Sequence, residues 1–362
     1  MSIQCQTENL AEPKEVLPGL YRIRLPQPKY GSVYVHLAVG GPGPVTLLDA
    51  GLPHEMTQNA LVVQLKRLGI TLGDIEQIVY THSHVDHMGG GAVLAGRAGH
   101  IEHVAHTGCI GLCEDFSAYN RKTSSWKALI THLNYAPAIR DQVKRYIPMD
   151  ADACNKVFSG ESNPDSTETE YHEFAEDATS IPFSRGLREG DEFEAGRYLW
   201  ETIETPGHNP HHLVFVEAER RASVTGDVIL EHGTPIMRSM GDDVSVYLRS
   251  LVKLTDWDLG LVLPSHGPLF SDGNGALKHV MNQREGLLDW AWGELERRPR
   301  RLVDLSFAAL QAGVAGKKVN PILLVGVMES AVSNWCACDV MAFDERTGEF
   351  EVIIQEERAL PR

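Results

Sequence analysis

The stretch THSHVDHMGG, residues 81–90, sets His82, His84, Asp86 and His87 within six consecutive positions, directly after the apolar run IEQIVY. With 16 histidines among 362 residues, chance supplies such a run in roughly 0.002 of chains with this composition. Two ordinary readings compete: surface histidines with local partners, and a polar turn closing a strand. Imidazoles and a carboxylate held this close repel or desolvate one another unless a cation is shared among them, and a divalent metal does that best.

Such a cluster needs rigid elements to hold it. From Leu20 the segments YRIRLP, SVYVHLAVG and VTLLDAGLP read as short strands broken by Gly and Pro, and MTQNALVVQLKRLGI has helical spacing. The histidines then lie where an apolar strand ends and a Gly-rich stretch opens a helix, a position from which a sheet can present a site. Phe116, Tyr119, Thr123, Trp126, Ile130 and Leu133 recur at steps of three and four, the stripe of one helix face, and IRDQVKRYI suggests a second helix. The acidic, turn-rich SGESNPDSTETEYHEFAEDATS reads as a surface loop, so residues 114–185 look inserted. Strand-like segments resume at RYLWETIETPGHNPHHLVFVEAERRASVTGDVIL, and DLGLVLPSHGPLF follows a helix centred on Tyr247 to Leu254. Beyond Asn274 the pattern turns helical. Asn320 as N-cap and Pro321 at the first helical position open another helix, and MAFDERTGEFEVI reads as a hairpin. The division expected is a domain over 1–275 and a small winged-helix-like module over 276–362.

The net charge of −16, from 49 acidic and 33 basic residues, disfavours nonspecific attraction to nucleic acid or anionic membranes. No uninterrupted apolar run approaches 18 residues and the first residues lack an export-signal pattern, so a cytoplasmic protein is expected. The six cysteines have no paired C-x-x-C spacing, which speaks against both a disulfide framework and a zinc ribbon.

Five motifs in order, LLDAGLP with Asp49, THSHVDHMGG, ETPGHNPHH with His208, VTGDVIL with Asp227 and LPSHGPL with His266, resemble the metallo-β-lactamase fold superfamily over approximately residues 15–275. The resemblance implies an α/β protein, an αββα sandwich with metals at one edge, carrying here a helical insert and a C-terminal helical, winged-helix-like module. It implies His82, His84 and His208 on one ion, Asp86, His87 and His266 on a second, and Asp227 bridging. Imidazoles and carboxylates suit Zn²⁺ first and also admit Mn²⁺ or Fe. Asp49 would orient ligands from behind, and Gly89 and Gly90 would let the backbone approach the site closely. Two such ions lower the pKa of a shared water and polarise a carbonyl, with no Ser or Cys nucleophile needed; a purely structural dimetal site is the competing view.

Asp86 and Asp227 thus become candidate catalytic residues as well as ligands. His232, in DVILEHGTP, could donate a proton to a leaving group, against the plainer reading of a loop histidine. His211 and His212 could each be a further ligand, an orienting group or a plain strand residue, the plain reading being preferred, and the aromatic stripe reads as core or as a wall for an apolar acyl or ring group. Where quorum-quenching lactonases of this superfamily carry a tyrosine three residues after the bridging aspartate, this chain has Leu230. The resemblance narrows to cytosolic thioesterase, lactonase and glyoxalase II-like members. A small-molecule ester, lactone or thioester is the expected substrate, with no nucleic-acid or membrane partner, and a homodimer is admitted. A phosphodiesterase and a non-catalytic ligand-binding regulator are the alternatives.

Overall fold

A computed structural model describes residues 10–28, 31–123, 180–219, 221–231, 233, 235, 237, 242–315, 321–344, 346–347 and 349–353. His232, Trp126, Ile130, Leu133, the second helix over IRDQVKRYI, the acidic loop and Asn320 lie outside the described residues.

Consecutive residues of the strands bury side chains in different layers, as the two-residue period of a strand requires. Leu47, Ile78 and Ala105 join one core with the helices Glu55–Arg67 and Gly90–Arg97, while their neighbours Leu48, Val79 and Val104 join a second core that also holds Trp200, Leu213, Phe215 and Leu263. Val214, Val216 and Val262 point into a third core with the helices Val244–Leu254 and Gly273–Arg297. Near-continuous apolar strands such as LVFVE, buried at every position, are what a sheet covered on both faces demands. The layers therefore run helix, sheet, sheet, helix: the αββα sandwich.

The first sheet orders Lys14–Leu17, Leu20–Gln27, Gly31–Ala38, Thr46–Leu48, Gln77–Val79, Glu102–His106 and Phe183–Leu187, antiparallel through the first four and parallel thereafter. The second orders Leu261–Pro264, Ala222–Gly226, Leu213–Glu217, Tyr198–Glu204 and Glu192–Ala195, with only its first pair parallel. Phe183–Leu187 is thus sheet rather than insert, and Phe116 is fully buried with Cys113 and Ile181 in the first helical core. The segment set apart as 114–185 begins and ends inside the sandwich.

At the C-terminal side, Gly273–Arg297, Leu302–Gln311 and Pro321–Ala337 are helices, followed by an antiparallel hairpin of Met341–Asp344 with Glu349–Val352. Proline at the first helical position suits Pro321, since its missing N–H would have no intrahelical partner there. Leu305, Leu324, Met328 and Trp335 share one core with Val262 and Tyr247, so the helical module and the sandwich are packed around common side chains. Among the described residues no helix is long and apolar enough to cross a membrane.

Candidate metal centre

The two sheets are stitched together at one edge, where the ligand-bearing loops leave the strands. Leu213 N–H donates to Thr81 O at 2.7 Å and Tyr34 N–H to Ser265 O at 2.8 Å, while within the second sheet Ser265 N–H donates to Gly226 O at 2.9 Å. His82 and His84 follow strand Gln77–Val79, and His84 caps the single turn Val85–Met88 that carries Asp86 and His87. His208 follows Tyr198–Glu204, Asp227 follows Ala222–Gly226, and His266 follows Leu261–Pro264.

Potential donor atoms fall into two sets, His82, His84, His208 and Asp227 in one, and Asp86, His87 and His266 in the other, each within 4.8 Å of its set-mates. Asp227 touches both. Its Oδ2 is 3.5 Å from His208 Nε2, 3.5 Å from His87 Nε2 and 3.6 Å from His266 Nε2.

Hydrogen-bond logic sets which nitrogen each ring turns inward. Asp49, held at φ 63°, accepts from Thr81 N at 2.8 Å and from Thr81 Oγ1, also at 2.8 Å. An ionised carboxylate only accepts, so the Thr81 hydroxyl donates to it and accepts in turn from His82 Nδ1–H at 3.0 Å. His87 Nδ1–H donates to Asp49 Oδ2 at 3.0 Å, and His266 Nδ1–H donates to Ser32 O at 3.2 Å. Each ring therefore presents the lone pair of Nε2 to the centre, the arrangement an outer acceptor imposes on a metal-binding histidine. Asp49 does the orienting expected of it.

The charge balance points the same way. Burial alone would lower His87 and His266, but Asp227 and Asp86 outweigh it and raise both. Burial would raise the Asp227 and Asp86 carboxyls, yet the facing histidines keep both below the usual carboxylate range. The carboxylates call for positive charge at the Nε2 atoms. His87 Nε2 and Asp227 Oδ1 are buried without a hydrogen-bond partner among the described residues, a deficit a cation between them removes. The donors present fit a divalent metal.

The family model for the metallo-beta-lactamase superfamily matches residues 29–266. The chain belongs to that superfamily. It is 28% identical over 254 residues, 68% of this chain and 70% of the relative, to a Bacillus subtilis protein named "Probable metallo-hydrolase YqjP". It is 29% identical over 171 residues, 45% of this chain and 53% of the relative, to the Atrochrysone carboxyl ACP thioesterase AgnL7 of Paecilomyces divaricatus; this chain therefore spans about half of that fungal protein. A crystal structure of a metallo-beta-lactamase family protein from Thermus thermophilus superposes with a TM-score of 0.69 at 19% identity, covering 93% of this chain and 100% of that one, a likeness of fold. The chain is a hydrolase of this superfamily, with a His/Asp cluster able to bind metal.

Several residues outside the two donor sets serve this metallo-beta-lactamase-type edge. His212, expected to be a plain strand residue, is fully buried, accepts Asp227 N–H through Nε2 at 3.2 Å, donates Nδ1–H to Thr205 Oγ1 at 2.8 Å, and stacks on His82 at 4.7 Å. Its adjacency to His208 in HNPHH was the one available hint. A Cβ on Gly226 would lie 2.6 Å from His212 Nε2, and the residue's φ is +51°, so glycine is required just before Asp227. Gln27 donates to Asp86 Oδ2 at 2.9 Å from 59 residues away. His211 instead stacks on His106 at 5.1 Å, outside both donor sets. Tyr119 reaches the Ser83 hydroxyl at 2.7 Å, and Asn209 Nδ2 donates to the same oxygen at 3.0 Å, so this tyrosine braces the loops of His82, His84 and His208. The close approach expected of Gly90 is to a neighbouring loop: its Cβ would meet Ala50 O at 2.2 Å, and its N–H donates to Gly51 O.

Proposed function

We propose that the chain is a dinuclear metal hydrolase cleaving an ester, lactone or thioester of a small, largely apolar molecule. The observation that carries this reading is the position of Asp227 Oδ2, within 3.6 Å of nitrogens from both donor sets. His82, His84 and His208 would hold one ion, Asp86, His87 and His266 the other, and Asp227 both, with Zn²⁺ first and Mn²⁺ or Fe admitted by the same donors. Bound there, two cations make a water nucleophilic near neutral pH and polarise the scissile carbonyl.

The chain's own residues do the rest. Asp49 fixes His82 through Thr81 and fixes His87 directly; His212 holds the backbone of Asp227; Gln27 holds Asp86 Oδ2 so that the carboxylate cannot swing away. Asp86 and His266 keep side-chain exposures of 20% and 28%, against 3% for His208, so substrate would enter over the Asp86 and His266 side. Hydrolysis adds water oxygen to the acyl carbon, breaks the bond to the alkoxide or thiolate, and delivers a proton to that leaving group; His232 is the proposed donor. The thioesterase name of a fungal relative supports the carbonyl class.

The test is a hydrolysis screen of zinc- and manganese-reconstituted protein against esters, lactones, thioesters and phosphodiesters. Carbonyl substrates should turn over and His232→Ala should slow poor leaving groups most. Turnover of phosphodiesters alone would overturn the class.

A further inference from the structure

The loop Pro264–Gly267 carries His266 across the edge of the first sheet, and Arg22 grips it. This arginine, on strand Leu20–Gln27, is 7% exposed. One terminal nitrogen, Nη2, donates to Pro264 O at 2.9 Å and to Gly267 O at 2.7 Å, the carbonyls on either side of His266. The guanidinium carbon lies 3.4 Å from the centre of the Tyr34 ring. Tyr34 in turn donates its N–H to Ser265 O, and Ser32 O accepts from the His266 ring. Strand Gly31–Ala38 thus fixes the middle of the loop and Arg22 fixes its two ends.

A buried cation is expensive without a carboxylate, and among the described residues none forms an ion pair with Arg22. Burial pulls the guanidinium down to about 10, which still leaves it charged at neutral pH. An apolar side chain could fill the space more cheaply, but it could not tie two carbonyls that flank a ligand. The hydrogens of a planar NH2 diverge at a set angle, so they hold the two carbonyl oxygens at a set separation, which the rotatable ammonium of lysine does not.

We propose that Arg22 is a positioning residue that sets how far His266 reaches into the centre, and so sets affinity for the ion shared by Asp86, His87 and His266 while leaving the other ion alone. The proposal rests on the two-ion reading above. Zinc titration calorimetry of metal-free protein tests it, on wild type, Arg22→Lys, Arg22→Gln and His266→Ala, with metal-free melting temperatures measured in parallel. Wild type should take two ions. Arg22→Lys should keep the tighter ion at wild-type affinity and weaken the second by about tenfold to a hundredfold, the usual span for a lost outer partner of a ligand. His266→Ala should lose the second ion. Arg22→Gln keeps an NH2 without the charge, and it carries the test if the lysine variant does not fold. Wild-type affinity for both ions in the variants would overturn the proposal. So would an equal loss of both ions with a lowered metal-free melting temperature, which is scaffold damage. A wild type that binds one ion would instead overturn the two-ion reading, and the proposal with it.

Discussion

The two donor sets differ in how they meet water. His82, His84, His208 and Asp227 are all buried, whereas Asp86 and His266 are only partly so. The first set is enclosed by packed rings, with His82 stacked on His212 at 4.7 Å and edge-on to His208 at 5.2 Å, and by the Tyr119, Ser83 and Asn209 hydrogen bonds. The second hangs on longer-range supports: Gln27 behind Asp86, Asp49 behind His87, and Ser32 and Arg22 behind His266 and its loop. A closed half favours a retained ion, because leaving it would expose several desolvated rings to one another. Under the proposed function the open half would admit substrate and exchange its ion more freely. Asp227, a member of the first set, also faces His87 and His266 of the second.

The largest effect should follow from removing what the halves share. Asp227→Asn keeps the shape but loses the charge that both sets face, and turnover should fall by about a hundredfold or more with a parallel drop in bound metal. Elemental analysis with kinetics checks it; full turnover with two ions bound would remove Asp227 from the bridge.

An effect of similar size, in stability rather than turnover, is expected away from both halves. Burial pulls His103 down to about 4, and a hydrogen bond of 2.7 Å joins its Nδ1 and the Tyr80 hydroxyl. The unfolded chain, with an ordinary histidine near 6.5, then binds more protons between those values. The contribution of neutral, buried His103 to metal-free stability is therefore fully present above about 6.5 and is lost as pH falls toward 4, by on the order of 3 kcal/mol. Urea melts of wild type and His103→Gln at pH 7 and pH 4.5 measure it, and the variant should show the shallower loss. Equal pH dependence in both would place the acid sensitivity elsewhere, the two donor sets included.

Asp49→Asn sharpens the contrast further. Asparagine tolerates the positive φ of 63° at this position, so the backbone should survive while the carboxylate that orders Thr81, His82 and His87 does not. Metal affinity should fall by about tenfold to a hundredfold. Read by competition with a chromophoric chelator, the loss should reach both ions, unlike the one-sided loss expected at Arg22.

The smallest effect belongs to the bracing of the closed half. Tyr119→Phe removes one hydroxyl contact to Ser83, about 1 kcal/mol for a half-buried hydrogen bond. Metal release into excess chelator should quicken by about fivefold for the slower ion only. Faster release of the quicker ion would reverse the roles of the two halves.

What could be read in the residues was whatever is local or ordered along the chain. His82, His84, Asp86 and His87 announce themselves by spacing, since one strand end and one helical turn are enough to converge them. His208, Asp227, His266 and Asp49 were legible as a series of motifs, and the helices and hairpin of the C-terminal module through Pro321 and the polar turn in MAFDERTGEFEVI. Arg22 and Gln27 were not, and His212 only as one of three alternatives. The first two act across sequence separations of 242 and 59 residues, and no periodicity encodes a carbonyl met on another strand. His212 could not be settled among ligand, orienting and plain strand readings because its role depends on which neighbour's N–H it faces. Phe116 was legible as one member of a stripe that reads as core or as a wall, and the structure places it in the core; the stripe alone does not name the surface it packs against.

The central claim is that two ions lie at this edge with Asp227 between them. Anomalous diffraction at the zinc edge, from crystals of zinc-reconstituted protein, tests it most directly. The account predicts two peaks about 3.5–4 Å apart. One should lie about 2 Å from nitrogens of His82, His84 and His208, the other as close to Asp86, His87 and His266, with an Asp227 oxygen reaching both. A single peak at full zinc loading, or a second one away from Asp86, His87 and His266, would contradict it.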